Sequence, residues 1–212
     1  MNCLSLNICG VNSIKKRGWV KEVCNENNVM FLGLQETRMT RVELFKIRSL
    51  WGNGNFDFAC STARGASGGI LSVWDPSIFH KQTMFCTEHM VVVEGTWVVK
   101  NLKCCIINVY ARQDRHKKRE LWGLIRLVLS RSVDKCMIFG DFNAVRNDTE
   151  RHGTQFCPII ASDFNEFIYE AGLVDIPMGG RRCTRVNSSG AKMSRLDRLL
   201  VSENLFDAIL EL

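Results

Sequence analysis

Apolar and polar positions along the chain form two kinds of pattern, which predict alternating strands and helices. Short apolar runs, several with alternating polarity, are typical of strands. The predicted strands are Cys3–Cys9, Val29–Leu34, Phe56–Cys60, Gly69–Trp74, Phe79–Phe85, Met90–Val99, Leu102–Tyr110, Lys135–Phe139, Leu173–Ile176 and Leu196–Val201. Apolar residues three to four positions apart predict amphipathic helices. The predicted helices are Ile14–Asn27 (with Ser13 as N-cap), Arg41–Leu50, a segment carrying Leu121, Trp122, Ile125 and Val128 on one face, Ile159–Glu170 and Glu203–Leu210.

Turn-forming residues separate these elements. The glycine-rich segment Arg64–Gly69 predicts a turn between two strands. Residues 143–156 are expected to be irregular, and Gly179–Asp197 predicts a hairpin with Asn187–Gly190 as its loop. Strands and helices together predict the α/β class, and no linker-like segment divides the chain. We therefore expect one domain over residues 1–212.

Composition narrows the possible classes of protein. The 212 residues are 46% hydrophobic and 24% charged, which is ordinary for a soluble globular protein. No apolar run approaches the roughly 20 residues of a membrane span, and the N-terminus shows no signal-peptide pattern. The ten cysteines form no Cys-x-x-Cys pair. We expect buried free thiols in an intracellular, reducing compartment, without a zinc site or a membrane partner.

The net charge of +6 favours a polyanionic partner. Basic residues are concentrated at Arg112–Arg119 and Arg181–Arg185. Each concentration can equally be a solvated surface, so charge alone does not assign a nucleic-acid site.

The strand ending near Met137–Phe139 leads into Gly140 and then into two candidate catalytic residues, Asp141 and Asn143. Residues two apart at a strand end point in the same direction, so these side chains can face one point. A carboxylate that accepts a proton beside an amide that donates hydrogen bonds suits activation of water next to an anion. The alternative is an ordinary Asx-turn, which Asp and Asn form without any function.

Other predicted strands also end in polar residues, namely Asn7, Glu36 and Tyr110, and Asp197 begins a further strand. Ligands in α/β proteins bind where strand ends converge. The oxygen atoms of Glu36, Asn7 and Asp141 are the hard ligands that Mg²⁺ prefers. The alternative for Glu36 is an acidic residue in the first turn of a helix.

Five short motifs carry a family resemblance. In chain order they are Leu6-Asn7-Ile8-Cys9-Gly10, Gln35-Glu36-Thr37, Asn108-Val109-Tyr110-Ala111, Gly140-Asp141-Phe142-Asn143 and Ser194-Arg195-Leu196-Asp197-Arg198. Each is weak alone, but their order resembles the endonuclease/exonuclease/phosphatase superfamily. That resemblance implies a four-layer α/β/β/α sandwich of two mixed sheets, the DNase-I-like fold.

Within the superfamily, the chain most resembles the endonuclease domain of LINE-type non-LTR retrotransposons, especially those of plants. The segments responsible are Gly140–Arg146, Glu150–Gly153, Phe164–Ile168, Gly172–Pro177 and Ser194–Leu199. The resemblance implies fusion to a downstream reverse transcriptase, action on DNA in the nucleus, and a monomeric isolated domain.

The resemblance also implies roles for individual residues. Glu36, with Asn7 close by, would hold Mg²⁺ or Mn²⁺. Asp141 would orient or deprotonate the attacking water, and Asn143 and Tyr110 would stabilise the phosphate oxygens, leaving 3′-hydroxyl and 5′-phosphate ends. Asp197 would orient a catalytic histidine. These six residues are expected to converge at one rim of the sheets.

DNA contacts are expected mainly from the hairpin, because Asn187–Lys192 resembles a loop that related nucleases insert against the DNA groove. The expected DNA-binding residues are Arg112, Arg146, Thr184, Arg185, Lys192 and Ser194. Arg112 replaces a usual proline and Arg185 a usual tryptophan, and both changes add charge near the expected interface.

The largest departure from the family is a Ser-Asp-His motif that relatives carry beyond the Asp197-type aspartate. No Asp-His pair occurs here, and no motif supports His80, His89, His116 or His152 as a substitute. We therefore expect a C-terminally truncated domain, lacking its final strand or strands and this motif, with impaired activity.

Two alternative functions stay open. A phosphodiesterase acting on inositol phosphates or sphingomyelin would share the metal site, although the basic hairpin favours DNA. A catalytically inactive remnant that only binds nucleic acid would retain the basic surface.

Overall fold

The computed structural model describes residues 2–65, 67–133, 135–177 and 182–210. The chain divides into two compact units, Met1–Tyr110 and Ala111–Leu212. Ala66 in the predicted turn, the predicted hairpin start at Gly179 and the basic residue Arg181 lie outside the described residues. Within the described ranges, no helix is long and apolar enough to cross a membrane.

The first unit contains the predicted strands and helices, with ends that differ by at most three residues. Its strands are β1 (Cys3–Asn7), β2 (Phe31–Gln35), β3 (Asp57–Ser61), β4 (Ile70–Trp74), β5 (Phe79–Cys86), β6 (Met90–Trp97) and β7 (Leu102–Tyr110). Its helices are α1 (Ile14–Glu26) and α2 (Leu44–Trp51). Ser13 caps α1 as predicted, accepting a hydrogen bond from the Lys16 N–H. Helix α2 begins later than predicted because Glu43 still has extended backbone.

Two sheets form in the first unit. Strands β1 and β2 are parallel, β2 and β3 each pair antiparallel with β4, and the sheet order is β1-β2-β4-β3. Strands β5, β6 and β7 form an antiparallel meander. The meander is linked to the first sheet by fully buried Asn108, which accepts a hydrogen bond from Gln35 Nε2 (2.6 Å) and donates one to the Leu71 carbonyl (3.1 Å). This polar contact fixes the ends of β2 and β7 next to each other.

The second unit contains the remaining elements. Its strands are β8 (Cys136–Asp141), β9 (Arg151–His152), β10 (Leu173–Asp175), β11 (Arg185–Val186), β12 (Met193–Ser194) and β13 (Asp197–Ser202). Its helices are α3 (Arg115–Leu129), α4 (Pro158–Glu170) and α5 (Glu203–Leu210). Strand β13 pairs antiparallel with β8 and with β10, and β12 pairs antiparallel with β11 and with β9. The packing of α3 against α4 is aromatic, with Trp122 stacked on Phe167 at 4.8 Å.

The expectation that residues 143–156 are irregular is wrong in part. Asp148–Glu150 form a single 3₁₀ turn, and β9 follows it directly. A strand of two residues has no periodicity to recognise. It exists because its backbone pairs with β12, about forty positions later.

The cysteines form no disulfide within the described residues, but the expectation that they are buried is wrong in part. Cys24 and Cys104 lie in the core, and burial raises the pKa of each thiol to about 11. Cys9 and Cys86 are exposed, because Cys9 follows β1 in a loop and Cys86 ends an exposed part of β5.

A buried ionic network holds the second unit together. Arg198 in β13 is 1% exposed and donates hydrogen bonds to Asp175 (2.7 Å) and Glu150. Arg195 also pairs with Asp175 (3.1 Å), and the Arg146 N–H donates to Glu150 (2.7 Å). Burial raises the pKa of the Glu150 carboxyl, but the hydrogen bonds from Arg198 and Arg146 outweigh burial and lower the pKa below its ordinary value. The network therefore ties β13, β10 and the 3₁₀ turn together.

Glu150→Gln tests the network. Removing one partner of a buried ion pair costs roughly 3–5 kcal/mol of unfolding free energy, because the arginine stays buried with too little counter-charge. We expect that loss at pH 7 in urea unfolding. Because the folded-state pKa is lowered, the stabilisation is present above the ordinary value of 4.5 and is lost as pH falls below it. The difference between the proteins should therefore shrink in acid. Glu120→Gln, in an exposed pair with Lys117, is the matched control and should change stability little.

Candidate active site

Three predicted site residues meet in the first unit around the Glu36 carboxylate. Tyr110, at the end of β7, donates its hydroxyl hydrogen to Glu36 Oε1 (2.9 Å), and Asn7, at the end of β1, donates from Nδ2 to the same oxygen (3.1 Å). The Arg38 guanidinium lies 3.8 Å from Glu36 Oε2. The carboxylate is largely buried, with 18% of its side chain exposed. Residues far apart in the chain thus form one polar cluster.

A strained backbone gives Glu36 its position. Glu36 and Arg38 both have positive φ (+53° and +55°), which is uncommon for residues other than glycine. Main-chain hydrogen bonds hold this turn on both sides: Gly10 N–H donates to the Glu36 carbonyl (2.7 Å) and Thr37 N–H donates to the Gly69 carbonyl (3.0 Å). Strain of this kind persists only where the surroundings determine it. Since α2 begins only at Leu44, the alternative of Glu36 as a helix-start acid is wrong.

The donors of this cluster fit a hard divalent cation. Glu36 offers carboxylate oxygens and Asn7 an amide oxygen, and Mg²⁺ is commonly held by one or two carboxylates together with waters and substrate phosphate. No group of three or more His, Cys, Asp or Glu side chains suited to a metal occurs among the described residues, so a zinc cage is not formed there. Burial and the Glu36 charge raise the pKa of the Cys9 thiol, which therefore stays protonated beside Asn7.

Gly69→Ala tests whether close packing fixes the Glu36 turn. A Cβ at Gly69 would lie 2.5 Å from Thr37 Oγ1, so the turn must shift. Gly65 has nearly the same φ (+85° against +84°) but nothing within 4 Å of a Cβ, which makes Gly65→Ala the control for backbone strain. We expect Gly65→Ala to lower the unfolding free energy by about 1–2 kcal/mol. Gly69→Ala should cost roughly 1–3 kcal/mol more, as overpacking does. Equal losses of unfolding free energy in the two variants would show that the close contact between Gly69 and Thr37 is not needed for stability.

In the second unit, Asp141 and Asn143 form a compact turn. Asp141 ends β8, is 5% exposed and accepts a hydrogen bond from the Asn143 N–H on Oδ1 (2.9 Å). Asn143 lies beyond the strand with φ +47°, and its Nδ2 donates to the Ala111 carbonyl (2.8 Å). The sequence suggested that the two side chains face the same way by strand alternation. They do not, because Asn143 lies outside β8. The Asx-type hydrogen bond forms as the alternative foresaw, and it also fixes the amide beside the carboxylate.

Asp197 begins β13 directly opposite Asp141 in the antiparallel register. Its N–H donates to the Thr184 hydroxyl oxygen (3.1 Å), which also accepts the Leu196 N–H (3.0 Å). Burial raises the pKa of the Asp197 carboxyl, although the Thr184 hydroxyl partly offsets it. The second unit thus holds two carboxylates on facing strand positions, an arrangement that stability alone does not favour.

Asp197→Asn should stabilise the protein at neutral pH. A carboxyl whose folded-state pKa is raised above 3.8 costs folding free energy once it ionises, and the cost is complete above the folded-state pKa. We therefore expect a higher Tm than the wild type at pH 7 and equal values below about pH 3.8. Exposed Asp207→Asn is the control and should leave Tm unchanged at both pH values. A lower Tm for Asp197→Asn at pH 7 would show that the charged form stabilises the fold.

A cavity of about 340 Å³ lies beside the Asp141–Asn143 turn in the second unit. Four predicted site residues line it, Asn143, Arg185, Lys192 and Ser194. Two further cationic side chains also line it, Lys118 from α3 and Arg151 from β9. No Asp or Glu is among its described lining residues. A concave surface with four cations and no carboxylate suits a polyanion.

A hairpin lies inside the predicted range and forms one wall of this cavity, but it is shorter than predicted and its loop is longer than Asn187–Gly190. Strands β11 and β12 pair, and the Asn187 side chain closes the loop by accepting the Lys192 N–H (2.9 Å). Gly153, just after β9, packs so closely that a Cβ there would overlap the Ala191 carbonyl. Only glycine fits between β9 and the loop, which explains the last residue of the Glu150–Gly153 segment.

Other predicted DNA-binding residues have structural partners. Arg146 donates from Nε to Asn165 (2.8 Å) and pairs with Asp175 (3.3 Å). It lies outside the cavity lining, as does Thr184, whose hydroxyl serves the start of β13. Arg112 is exposed. Lys118 is not among the expected DNA-binding residues. Its position three before Leu121 nevertheless places it on the buried face of α3.

Comparison with known proteins identifies the family. Residues 4–208 match the family model described as the Endonuclease/Exonuclease/phosphatase family. The chain belongs to the endonuclease/exonuclease/phosphatase family. Among curated protein sequences, none is similar enough to count as a match.

Solved structures similar to this chain have diverse activities. An AP endonuclease from Leishmania major is 15% identical with a TM-score of 0.77, over 97% of this chain and 79% of that one. The endonuclease domain of TRAS1, a telomere-specific non-LTR retrotransposon, is 16% identical with a TM-score of 0.71, over 97% and 86%. A mannosyl-6-phosphatase from Bacteroides thetaiotaomicron is 12% identical with a TM-score of 0.67, over 95% and 85%. The predicted DNase-I-like α/β class of two mixed sheets with helices is confirmed; at these identities the likeness establishes fold only.

Proposed function

We propose that this member of the endonuclease/exonuclease/phosphatase family is a divalent-metal-dependent phosphodiesterase that nicks DNA, as the endonuclease domain of a LINE-type retrotransposon. The observation that carries the proposal is the cationic cavity beside the Asp141–Asn143 turn. Its hairpin cations Arg185 and Lys192 are exposed and suited to a long phosphate backbone. The parent polypeptide would continue into a reverse transcriptase, and action on chromosomal DNA requires a nuclear location.

The first-unit cluster supports metal binding. Glu36, with Asn7, would hold Mg²⁺ or Mn²⁺, which when bound supplies positive charge for the phosphate oxygens. The Tyr110 hydroxyl and the Asn7 amide both donate to Glu36 Oε1, so they fix the carboxylate in one orientation. Because the Tyr110 hydroxyl has one hydrogen, it would stabilise a phosphate oxygen in the transition state by turning that hydrogen away from Glu36.

The second-unit turn supports activation of water. Asp141 would orient the attacking water or accept its proton as the water oxygen bonds to phosphorus. The P–O3′ bond breaks and the leaving oxygen takes a proton from solvent, which gives a 3′-hydroxyl and a 5′-phosphate. Its Oδ1 is held by the Asn143 N–H, and the Asn143 amide is held by the Ala111 carbonyl. One hydrogen of the Asn143 amide donates to the Ala111 carbonyl and fixes the side chain. The other would donate to a phosphate oxygen. Asp197, opposite Asp141, would orient an imidazole.

Nicking of supercoiled plasmid in Mg²⁺ tests the function. Glu36→Gln and Asp141→Asn should each lower the single-turnover rate by roughly 10²–10⁴, the usual contribution of such groups. If both act on one step, the double variant should lose far less than the product of the two effects. Glu22→Gln, an exposed carboxylate of α1, is the control and should nick at the wild-type rate.

Other substrates separate this proposal from its alternatives. Faster release of phosphate from inositol polyphosphates or cleavage of sphingomyelin would assign the chain to a different branch of the family. Salt-dependent DNA binding with no metal-dependent nick would make it a binding remnant. Either result contradicts the proposed endonuclease.

A further inference from the structure

A lysine is buried in the cavity wall of the second unit. Lys118 lies on the inner face of α3 and is 4% exposed. Its ammonium donates one hydrogen bond, to the Gln113 carbonyl (3.1 Å), and no ion pair to it occurs among the described residues. An ammonium has three donors and is rarely buried without a partner. Lys118 thus brings donors and positive charge to the cavity.

A second cation in the same wall is also incompletely paired. Arg151 donates from Nη1 to the Gln155 carbonyl (3.3 Å). Its Nε is buried and has no hydrogen-bond partner within the described part of the chain. Burial lowers the pKa of the Lys118 ammonium, and the charge of Arg151 lowers it further, against smaller opposing effects from Asp141 and Asp114. The two cations therefore destabilise each other in the absence of an anion.

The cavity is matched to a phosphate group. Two neighbouring cations in a wall without carboxylates are destabilised by desolvation and by mutual repulsion. An anion between them would offset the repulsion and accept hydrogen bonds from the N–H groups of Lys118 and Arg151. On the basis of the proposed function, we infer that Lys118 and Arg151 bind a phosphate of the nucleic-acid strand inside this cavity. Neither residue belongs to the motifs that carry the predicted catalytic roles.

The position of the cavity indicates a phosphate within a strand. Exposed Arg185 and Lys192 stand in the same lining, where they are suited to the phosphates on either side. The protein would therefore hold the nucleic acid by phosphodiesters inside the strand and would not require a free 5′ or 3′ end. Lys118 and Arg151 select position along the backbone and read no base.

Binding of inorganic phosphate to the metal-free protein tests Lys118 without any cleavage. Phosphate should raise the wild-type Tm in a concentration-dependent manner. Lys118→Met, which keeps the length of the side chain and removes its charge, should bind phosphate about 10- to 100-fold more weakly, the usual effect of losing a charged hydrogen bond. Without phosphate, the same variant should have a higher Tm than the wild type, because a desolvated charge is gone. Lys117→Met, at the neighbouring exposed position, should change neither quantity.

A purely structural role for Lys118 gives the opposite pattern. Unchanged phosphate affinity in Lys118→Met, with a lower Tm, would overturn the inference. If that variant does not fold, Arg151→Gln takes its place and should show the same weakening. Equal affinity for single strands with and without a 5′-phosphate supports an internal phosphodiester, whereas binding that needs the terminal phosphate contradicts it.

Nicking separates this inference from the proposed function. If the wild type binds phosphate through Lys118 but never nicks DNA, the endonuclease proposal is wrong and the phosphate site stands. If the wild type nicks and Lys118→Met nicks with unchanged KM and salt dependence, the phosphate site is wrong and the endonuclease proposal stands.

Discussion

The pairing of Arg198 with Glu150 and Asp175 is the constraint on which the second unit depends. A guanidinium that is 1% exposed requires counter-charge, and within the described part of the chain two carboxylates from separate segments supply it. Once Glu150 is held, the backbone immediately after it has little freedom. Arg151, the next residue, lines the cavity, and β9 pairs with β12. Packing of apolar side chains supplies most of the stability of such a unit, and this ionic network joins the 3₁₀ turn to β10 and β13.

Residues with a local signal could be predicted from the sequence. Asn7 and Tyr110 are the last residues of apolar strands and Glu36 follows another, positions where a polar residue has no packing role. Their order matched known motifs, and the structure brings these three together. The Asp141–Asn143 turn was found in the same way, although its geometry depends on a positive φ that apolar alternation does not encode. The convergence of these two groups at one rim, and the missing histidine beside Asp197, stay predictions.

What could not be predicted depends on contacts between distant segments. Arg146 was expected to contact DNA, and the sequence did not show that Asn165 and Asp175 engage its side chain; its contact with DNA stays a prediction. Thr184 was also expected to contact DNA, and the sequence did not show that its hydroxyl oxygen accepts the N–H groups of Leu196 and Asp197; its contact with DNA stays a prediction. Helix periodicity distinguishes Lys118 from exposed Lys117, but the cavity wall that Lys118 shares with Arg151 depends on packing between distant segments. Charge is visible in a sequence, but the partner that neutralises it is not.

The burial of Lys118 sets stability against ligand binding at a single position. A buried cation lowers the free energy of unfolding, so an apolar side chain of similar length at this position should make the fold more stable. For the phosphate site inferred above, the same replacement removes a charge that the ligand needs. Selection for thermal stability alone would therefore tend to lose Lys118, whereas selection for ligand binding would retain it.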